Sequence, residues 1–359
     1  MGLFNFLKNK SKSTSDNKFI LSKITSIDHP TDGSVKITFD TENIPNEYLL
    51  FNSGQYINLK ITINNKEEIR SYSLCSKPKN PLEIAVKAIS NGIVSNYLKS
   101  KVVVGDEILI SKPEGNFKIN DTDQKIIAFA AGSGITPIYS IAQTIEDTNR
   151  KMLLFFGNKT ISSSIFYKEI TLLNNLKTEF LFSQEKNDSN NSKRVDGTFV
   201  KSIIKQDLDI LKSDKFLICG PENMIIEIRD ALKLFGIKED KIIYELFTTP
   251  VKMESSKKSS GNKKFKGESI VKITLDGKNY EMTVPENGPL LIDAAEKNGI
   301  DVPFSCRGGL CCSCRAKVVE GDVKMDVNYA LTDQEVDDGY ILACQAKTNS
   351  SELTISFDE

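Results

Sequence analysis

The 359-residue sequence predicts a multidomain chain of three folded parts: an antiparallel β-barrel, an α/β domain on a parallel sheet, and a separate C-terminal domain with clustered cysteines. Three observations predict this. The chain is too long for one ordinary domain and fits two or three, each large enough to bury its own core. Its apolar residues alternate as in strands up to about residue 120, then fall into strand-like runs separated by helical stretches. Finally, PVKMESSKKSSGNKKFKG at 250–267 is rich in Lys, Ser and Gly, lacks apolar periodicity, and reads as a flexible linker.

Residues 1–18 are expected to form a tail. Their start, MGLFNFLKNKSKST, places basic residues after a short apolar patch, and Phe6 occupies the Ser/Thr position of a myristoylation signal, so neither export nor acylation is indicated. Over 19–120, VKITF, YINLKITI, LEIAVKAI and EILI lie between turn clusters, the pattern of a β-barrel. Over 121–249, KIIAFAA, KMLLFFG, TEFLF, KFLICG and KIIYELF alternate with the helical TPIYSIAQTIED and PENMIIEIRDALKLF, the pattern of a parallel sheet with crossover helices. EKNDSNNSK at 185–193 is a polar loop within that part. After the linker, 268–359 forms the third domain.

Composition narrows the function classes. With 39% hydrophobic and 26% charged residues the chain is globular, and no apolar run is long enough to span a bilayer, so no membrane anchor is expected. The net charge of −1 conceals an asymmetry: from Glu268 onward 8 Lys/Arg face 17 Asp/Glu, a net −9, leaving +8 for the rest. That positive excess is spread along the chain, so no nucleic-acid partner is expected; an acidic domain that docks on basic surfaces is. Seven Cys, four of them between 306 and 314, point to metal or redox use in a reducing compartment, with the cytoplasm as the default. The single His, His29, beside Pro30, reads as a surface residue; it removes Ser-His-Asp hydrolysis, His-rich metal sites and a Rieske centre, which needs two His.

The strongest chemical signal is PFSCRGGLCCSC followed by GYILACQ. Four residues separate Cys306 from Cys311, two separate Cys311 from Cys314, and 29 more precede Cys344, the spacing of a plant-type 2Fe-2S cluster. Gly308 and Gly309 permit a tight wrap that brings backbone N–H groups towards the sulfurs. Cys312 stands at the wrong spacing and is read as a non-ligand. A zinc site would usually pair two C-x2-C knuckles where this chain has one, and buried structural thiols are the other alternative. Cys75 reads as a small apolar packing residue.

A second signal is KIIAFAAGSGITP, a strand followed by Gly132, Ser133 and Gly134 and then a helix. Glycine lets backbone approach a pyrophosphate, and the helix N-terminus offers free N–H groups, with Thr136 expected as N-cap and Pro137 at the first helical position. Tight packing alone also produces G-x-G at such a turn, and Pro137 replaces the third glycine of the dinucleotide fingerprint. In the β-rich part, Arg70, Tyr72 and Leu74 would share one strand face and Ser71 and Ser73 the other. Such a strand suits a flavin, with Arg70 for phosphate, Tyr72 as aromatic platform and a Ser hydroxyl for the ring. Gly92-Ile93-Val94-Ser95-Asn96-Tyr97-Leu98 reads as a turn entering a helix, a second anion site.

RSYSL, GIVSNYL, GSGITP, CGP and YELF occur in the order found in the ferredoxin-NADP reductase superfamily, here fused to a plant-type ferredoxin domain, and the resemblance runs from about Phe19 to Glu359. It implies an antiparallel β-barrel flavin domain, an α/β parallel-sheet nucleotide domain and a C-terminal α+β β-grasp ferredoxin domain. Arg70, Ser71, Tyr72, Ser73, Gly92, Val94 and Ser95 would then contact FAD, with Val86 and Lys87 alongside. Gly132, Gly134, Thr136, Pro137 and Cys219-Gly220-Pro221 would bind the pyridine nucleotide, with Cys219 near the nicotinamide. Ser73, Glu245 and Phe247 would lie beside the flavin ring, and Cys306, Cys311, Cys314 and Cys344 would hold the cluster. Position 93, often Arg in such proteins, is Ile93, which changes the expected flavin phosphate contacts.

The domain order and CCSCRAKVVEGDVKMDVNYALT most resemble the reductase components of bacterial phenylacetyl-CoA epoxidases. That implies electron flow from NAD(P)H through flavin and cluster to an oxygenase component, a multisubunit di-iron epoxidase. The reductase of another oxygenase or metalloprotein would carry the same motifs. An electron-carrier module with decayed flavin and nucleotide sites would not keep the glycines and RSYSL. For the co-substrate, FFGNKT places no acidic residue for a ribose 2′-OH, and Lys159 could meet a 2′-phosphate, which favours NADPH over NADH; a solvated Lys is the alternative.

Overall fold

The structure is a computed structural model that describes residues 19–42, 44–185, 194–247, 267–285, 288–304, 307–309 and 311–359. The tail, nearly all of the 250–267 stretch, most of the polar 185–193 loop, and Cys306 lie outside the described residues.

Six strands make the first sheet: β1 (Phe19–Asp28), β2 (Ser34–Phe39), β3 (Tyr56–Ile63), β4 (Lys66–Ser73), β5 (Glu83–Lys87) and β6 (Glu107–Ser111). Their order is β4-β3-β6-β1-β2-β5 with antiparallel pairing throughout. Its two edges meet where Leu74 bridges Ile84 and Cys75 N–H donates to the Glu83 carbonyl at 2.8 Å, which closes the barrel. Val35, Ile37, Phe39, Ile57, Leu59 and Ile84 fill the interior by the period-two alternation that strands impose. Helix α1 (Asn46–Leu49) follows β2, and α2 (Ile93–Ser100) packs on the barrel.

The second sheet holds β7 (Lys125–Ala131), β8 (Lys151–Asn158), β9 (Leu176–Phe182), β10 (Lys215–Gly220) and β11 (Ile242–Leu246). All pairs are parallel, in the order β11-β10-β7-β8-β9. Helices α3 (Ile135–Ile145), α4 (Tyr167–Thr171), α5 (Gly197–Gln206) and α6 (Glu222–Leu234) connect them. The near-continuous apolar runs of β7 and β10 follow from burial on both faces. Strand order reverses between β7 and β10, and the crevice beyond their carboxyl ends is where open α/β sheets bind ligands.

The third domain has a mixed sheet, β13-β12-β18-β14-β16, from β12 (Glu268–Leu275), β13 (Lys278–Pro285), β14 (Arg315–Glu320), β15 (Val323–Met325), β16 (Tyr340–Leu342), β17 (Ala346–Thr348) and β18 (Glu352–Ser356), with β15 and β17 forming a separate pair. Only β12 and β18 run parallel in that sheet. Helix α7 (Leu291–Lys297) buries Leu291, Ile292, Ala294 and Ala295 in the core, and α8 (Asp333–Asp337) starts on a capping box of Thr332 and Glu335.

The first two domains share a seam. Cys75 and Phe117 of the barrel join the core that lies under α3, Ser140 Oγ donates to the Ser76 carbonyl at 2.5 Å, and Gln143 Nε2 donates to the Cys75 carbonyl at 2.7 Å. Cys75 is therefore buried, as read from sequence, though just beyond β4 and at the seam. His29 is exposed, as expected. Thr136 does not cap its helix. A 3-10 turn at Gly132–Gly134 leads into α3, Gly134 takes the cap position, and the Thr136 hydroxyl donates to the Ser133 carbonyl at 3.0 Å. Pro137 sits third in α3, where its missing N–H still costs no intrahelical bond.

Candidate functional site

The cysteine-rich loop is pinned from both sides. Gly309 adopts φ +74°, and a Cβ there would lie 3.0 Å from the Gln345 side chain and 3.2 Å from the Val327 carbonyl, so any larger residue would be strained and would push its neighbours. Tyr329 N–H donates to the Gly309 carbonyl at 3.0 Å, and Gln345 Nε2 donates to the Arg307 carbonyl at 2.8 Å. The second bond holds the loop against the segment that carries Cys344, and the first against the segment that carries Tyr329. Ala343 N–H donates to the Cys314 carbonyl at 3.0 Å, which ties the third and fourth cysteines together. Cys311, Cys314 and Cys344 are all buried. Cys312 turns the other way: its thiol donates towards the Ala330 carbonyl at 3.7 Å, and burial pushes its pKa up to about 12.

Strand β4 brings RSYSL to the rim of the barrel. Arg70 is bridged to Glu68 at 3.0 Å, with its side chain still half exposed. Although burial opposes it, hydrogen bonding and charge from Lys66 and Arg70 hold the Glu68 carboxyl below the usual range. Ser71 Oγ donates to Asn58 Oδ1 at 2.7 Å. Ser73 Oγ donates to Glu245 Oε2 at 2.9 Å, joining β4 to the last strand of the α/β sheet across 172 residues of chain. Glu245 keeps some open surface, yet its carboxyl group is enclosed, and burial raises its pKa to about 8 against the opposing Ser73 bond. Beside it in register on β10, Cys219 is fully buried, and burial followed by the Glu245 charge pushes its thiol pKa well up. Phe247 stands just past β11, 41% exposed.

Gly92 precedes α2, and a Cβ there would collide with Ser95 Oγ at 2.4 Å and Ile89 Cγ1 at 2.5 Å. Ser95 Oγ lies 3.4 Å from Ile89 N and 3.5 Å from the Gly92 carbonyl, which fixes the turn. Val86 and Val94 point into the barrel core, so only their backbones can line a site. The exposed Ile89 and Ile93, 59% and 55%, flank this helix start.

Gly134 packs on the end of β10 so closely that a Cβ would lie 2.1 Å from the Cys219 carbonyl oxygen. Gly220, by contrast, is blocked by the flexible end of Met224, and Pro221 then leads into α6. Lys87 Nζ reaches to 3.8 Å from the Cβ position of Gly132, and burial and the neighbouring Lys159 charge both lower its pKa. The Lys87 ammonium thus stands over the glycine turn, close enough to Lys159 to feel its charge. Sequence reasoning placed Lys87 alongside the flavin; the structure also sets it over Gly132. It missed Asn158, at the carboxyl end of β8, whose buried side chain leaves both amide atoms without a partner. A polar residue closing an apolar strand was the signal that could have found it.

Three family descriptions match the chain: an oxidoreductase FAD-binding domain over 18–119, an oxidoreductase NAD-binding domain over 129–230, and a 2Fe-2S iron-sulfur cluster binding domain over 273–349. One component of the 1,2-phenylacetyl-CoA epoxidase of Escherichia coli K12 is 32% identical over 350 residues, 93% of this chain and 96% of its own length. The chain belongs to the ferredoxin-NADP reductase superfamily, in the branch fused to a 2Fe-2S domain. The ferredoxin reductase component of a 3-ketosteroid-9-alpha-monooxygenase from Mycobacterium tuberculosis H37Rv is 30% identical over 327 residues, 89% of each chain. Among solved structures, phthalate dioxygenase reductase matches with a TM-score of 0.58 at 22% identity over 94% of this chain and 98% of that one, which is a likeness of fold.

As a member of this superfamily the chain is an oxidoreductase with FAD, pyridine nucleotide and a 2Fe-2S cluster as its cofactors. The residues present fit each group. Buried thiols on a glycine-shaped loop suit a cluster, while the orphaned Asn158 amide and the Lys87 ammonium over Gly132 suit a polar, phosphate-bearing nucleotide. Exposed apolar residues at the start of α2, next to first-turn N–H groups with no intrahelical partner, suit a ligand that is part ring and part phosphate. No helix among the described residues is long and apolar enough to cross a membrane.

Proposed function

We propose that this reductase supplies electrons to the oxygenase component of a multisubunit di-iron epoxidase acting on an aromatic acyl-CoA. The observation that carries this reading is the 32% identity to the phenylacetyl-CoA epoxidase component over almost the whole of both chains. A flavin accepts a hydride from reduced nicotinamide and passes electrons singly to a one-electron acceptor such as the cluster.

The chain's own residues then do the following. Arg70, Ser71, Tyr72, Gly92, Val94 and Ser95 hold the flavin, Tyr72 and Arg70 by side chain and Gly92 and Val94 by backbone. Gly132, Gly134, Thr136, Pro137, Gly220 and Pro221 shape the nucleotide cleft, and Lys87 and Lys159 supply its positive charge. A carboxyl with a pKa of about 8 is protonated at neutral pH, so Glu245 presents a proton beside Ser73 rather than a charge. Cys219, held as a neutral thiol in the core beneath the Gly134 turn, would shape the floor of the nicotinamide site and add no charge there. Phe247, at the mouth, excludes water when nucleotide is bound. Cys306, Cys311, Cys314 and Cys344 ligate the cluster, and the domain spans 19–120, 121–249 and 268–359 follow the three cofactors.

The acidic third domain, net −9 from Glu268 onward, would meet the acceptor through basic surface on that partner. Hydrogen bonds of uncharged donors join that domain to the rest of the chain: Cys312 N–H to Tyr56 OH, Asn58 Nδ2 to Ser313 Oγ, and Tyr329 OH to Glu222 Oε1. Reconstitution with candidate oxygenase subunits, scoring NAD(P)H-driven epoxidation of phenylacetyl-CoA, tests the reading. Failure of this protein to stimulate turnover would remove the acceptor assignment and leave the reductase itself standing.

A further inference from the structure

Strand β3 carries an anomaly. Ile57 and Leu59 point into the barrel core, so Tyr56 and Asn58 point outward, where a barrel strand should meet water. Both are nevertheless only 4% exposed. The ferredoxin domain's ligand loop lies over them. Tyr56 OH accepts from Cys312 N–H at 3.2 Å, and Asn58 Nδ2 donates to Ser313 Oγ at 3.2 Å. The Tyr56 ring has room because Gly115, at φ +113°, leaves space where a Cβ would sit 2.9 Å away. Cys312 and Ser313 are the two residues between Cys311 and Cys314.

We propose that Asn58 is a positioning residue for electron transfer from flavin to cluster, acting by orienting the Ser313 hydroxyl onto the Cys311 sulfur, while Tyr56 latches the same loop. Ser313 Oγ lies 3.5 Å from Cys311 Sγ. A thiolate has no proton to give, so with a cluster bound this contact runs from hydroxyl to sulfur. Asn58 donates to the Ser313 oxygen and so leaves the hydroxyl proton free for that sulfur. Its other amide atom, Oδ1, accepts from Ser71 at 2.7 Å. A hydrogen-bonded line thus runs from Cys311 through Ser313 and Asn58 to the RSYSL strand. Tunnelling decays more slowly along bonded contacts than across a gap, and a hydrogen bond to a cluster sulfur stabilises the reduced form and raises the potential. Docking the loop on the barrel therefore both shortens the route and makes the cluster a better acceptor.

The inference rests on the assignment of Cys311 as a ligand. Loss of the cluster's visible and EPR signals in Cys311→Ser tests that assignment separately. The test of the proposal uses full-length holoprotein carrying Asn58→Leu, Ser313→Ala, or both. Hydride reduction of the flavin is expected to stay within about twofold of wild type, while reduction of the cluster by the flavin slows about tenfold, with an unchanged EPR line shape. The cluster potential falls in each single variant, a tenfold change in its reduction equilibrium corresponding to about 59 mV for one electron. Because Asn58 acts through Ser313, the double variant should fall no further than Ser313→Ala alone. Amide exchange over 311–315 should rise in Asn58→Leu and in Tyr56→Phe, which deletes only the latch hydroxyl. Additive potential shifts, or an intact cluster with wild-type potential and wild-type internal transfer in Asn58→Leu, would overturn the proposal. If Asn58→Leu fails to fold, unchanged exchange and internal transfer in Tyr56→Phe with an unchanged potential in Ser313→Ala would overturn it as well.

Discussion

Replacing Gly134 by Ala should be the most damaging single-methyl change in the nucleotide cleft. The added Cβ would meet the Cys219 carbonyl oxygen at 2.1 Å, its carbon at 2.5 Å and Gly220 N at 2.9 Å, whereas real Cβ contacts essentially never fall below 3.0 Å. All three obstacles are backbone atoms of β10, fixed by pairing to β7 and β11 on either side, so the glycine turn must move instead. Overpacking of this kind costs about 3 kcal/mol, and a displacement of roughly 1 Å at a positioning loop costs about a hundredfold in the step it serves. Urea unfolding should show a lower midpoint. Stopped-flow bleaching of the flavin by NAD(P)H should show nucleotide affinity or hydride delivery down about a hundredfold, with FAD retained. Two matched variants calibrate the result. Gly220→Ala meets the flexible end of Met224 at 2.5 Å and Ala131 Cβ at 3.2 Å but no backbone atom within that range, and Gly132→Ala meets no atom closer than 3.8 Å but must hold φ +56°, a left-handed conformation costing about 1 kcal/mol. Gly134→Ala behaving like wild type, or Gly220→Ala proving the worse, would refute the argument that backbone contact at the switch point fixes this cleft.

Flavin reduction in wild type should slow as pH rises through about 8, and Glu245→Gln should abolish that loss, read from pre-steady-state rates across pH 6 to 9. The same group makes stability fall between the ordinary carboxyl pKa of 4.5 and about 8, because the folded chain keeps a proton that the unfolded chain releases; unfolding midpoints of the Gln variant should be flatter with pH there. Cys306→Ser should end electron delivery to external acceptors yet leave hydride reduction of the flavin, while Cys312→Ser, whose thiol faces the Ala330 carbonyl, should spare both; the opposite pattern in absorbance and acceptor assays would mean the ligand set is wrong. Lys159→Ala should raise the KM for NADPH about tenfold and leave that for NADH within twofold, one lost charge-assisted phosphate contact; equal effects on both would place Lys159 outside the 2′-phosphate site.

Much of the molecule was legible before its fold. The runs read as YINLKITI, KIIAFAA and KFLICG are β3, β7 and β10 residue for residue, because strand periodicity and burial on two faces leave their mark on consecutive side chains. The cysteine spacing and the glycines of GSGITP are local constraints, imposed by short loops that must wrap closely, so they too are written in neighbouring residues. Helix start was less legible. Thr136 has the chemistry of a cap, but the 3-10 turn at Gly132–Gly134 moved the cap forward, a choice driven by the contact of Gly134 with β10.

What the sequence determined by itself is therefore the set of parts: a barrel, a parallel sheet, a cysteine loop, and the glycines that let ligands approach. Only tertiary structure decided which parts meet. Ser73 and Glu245 are 172 residues apart, Asn58 and Ser313 are 255 apart, and no local propensity encodes either pairing. Both follow from how domains pack, because enclosing a carboxyl or an outward-facing amide becomes tolerable only once a distant chain segment supplies its hydrogen-bond partner.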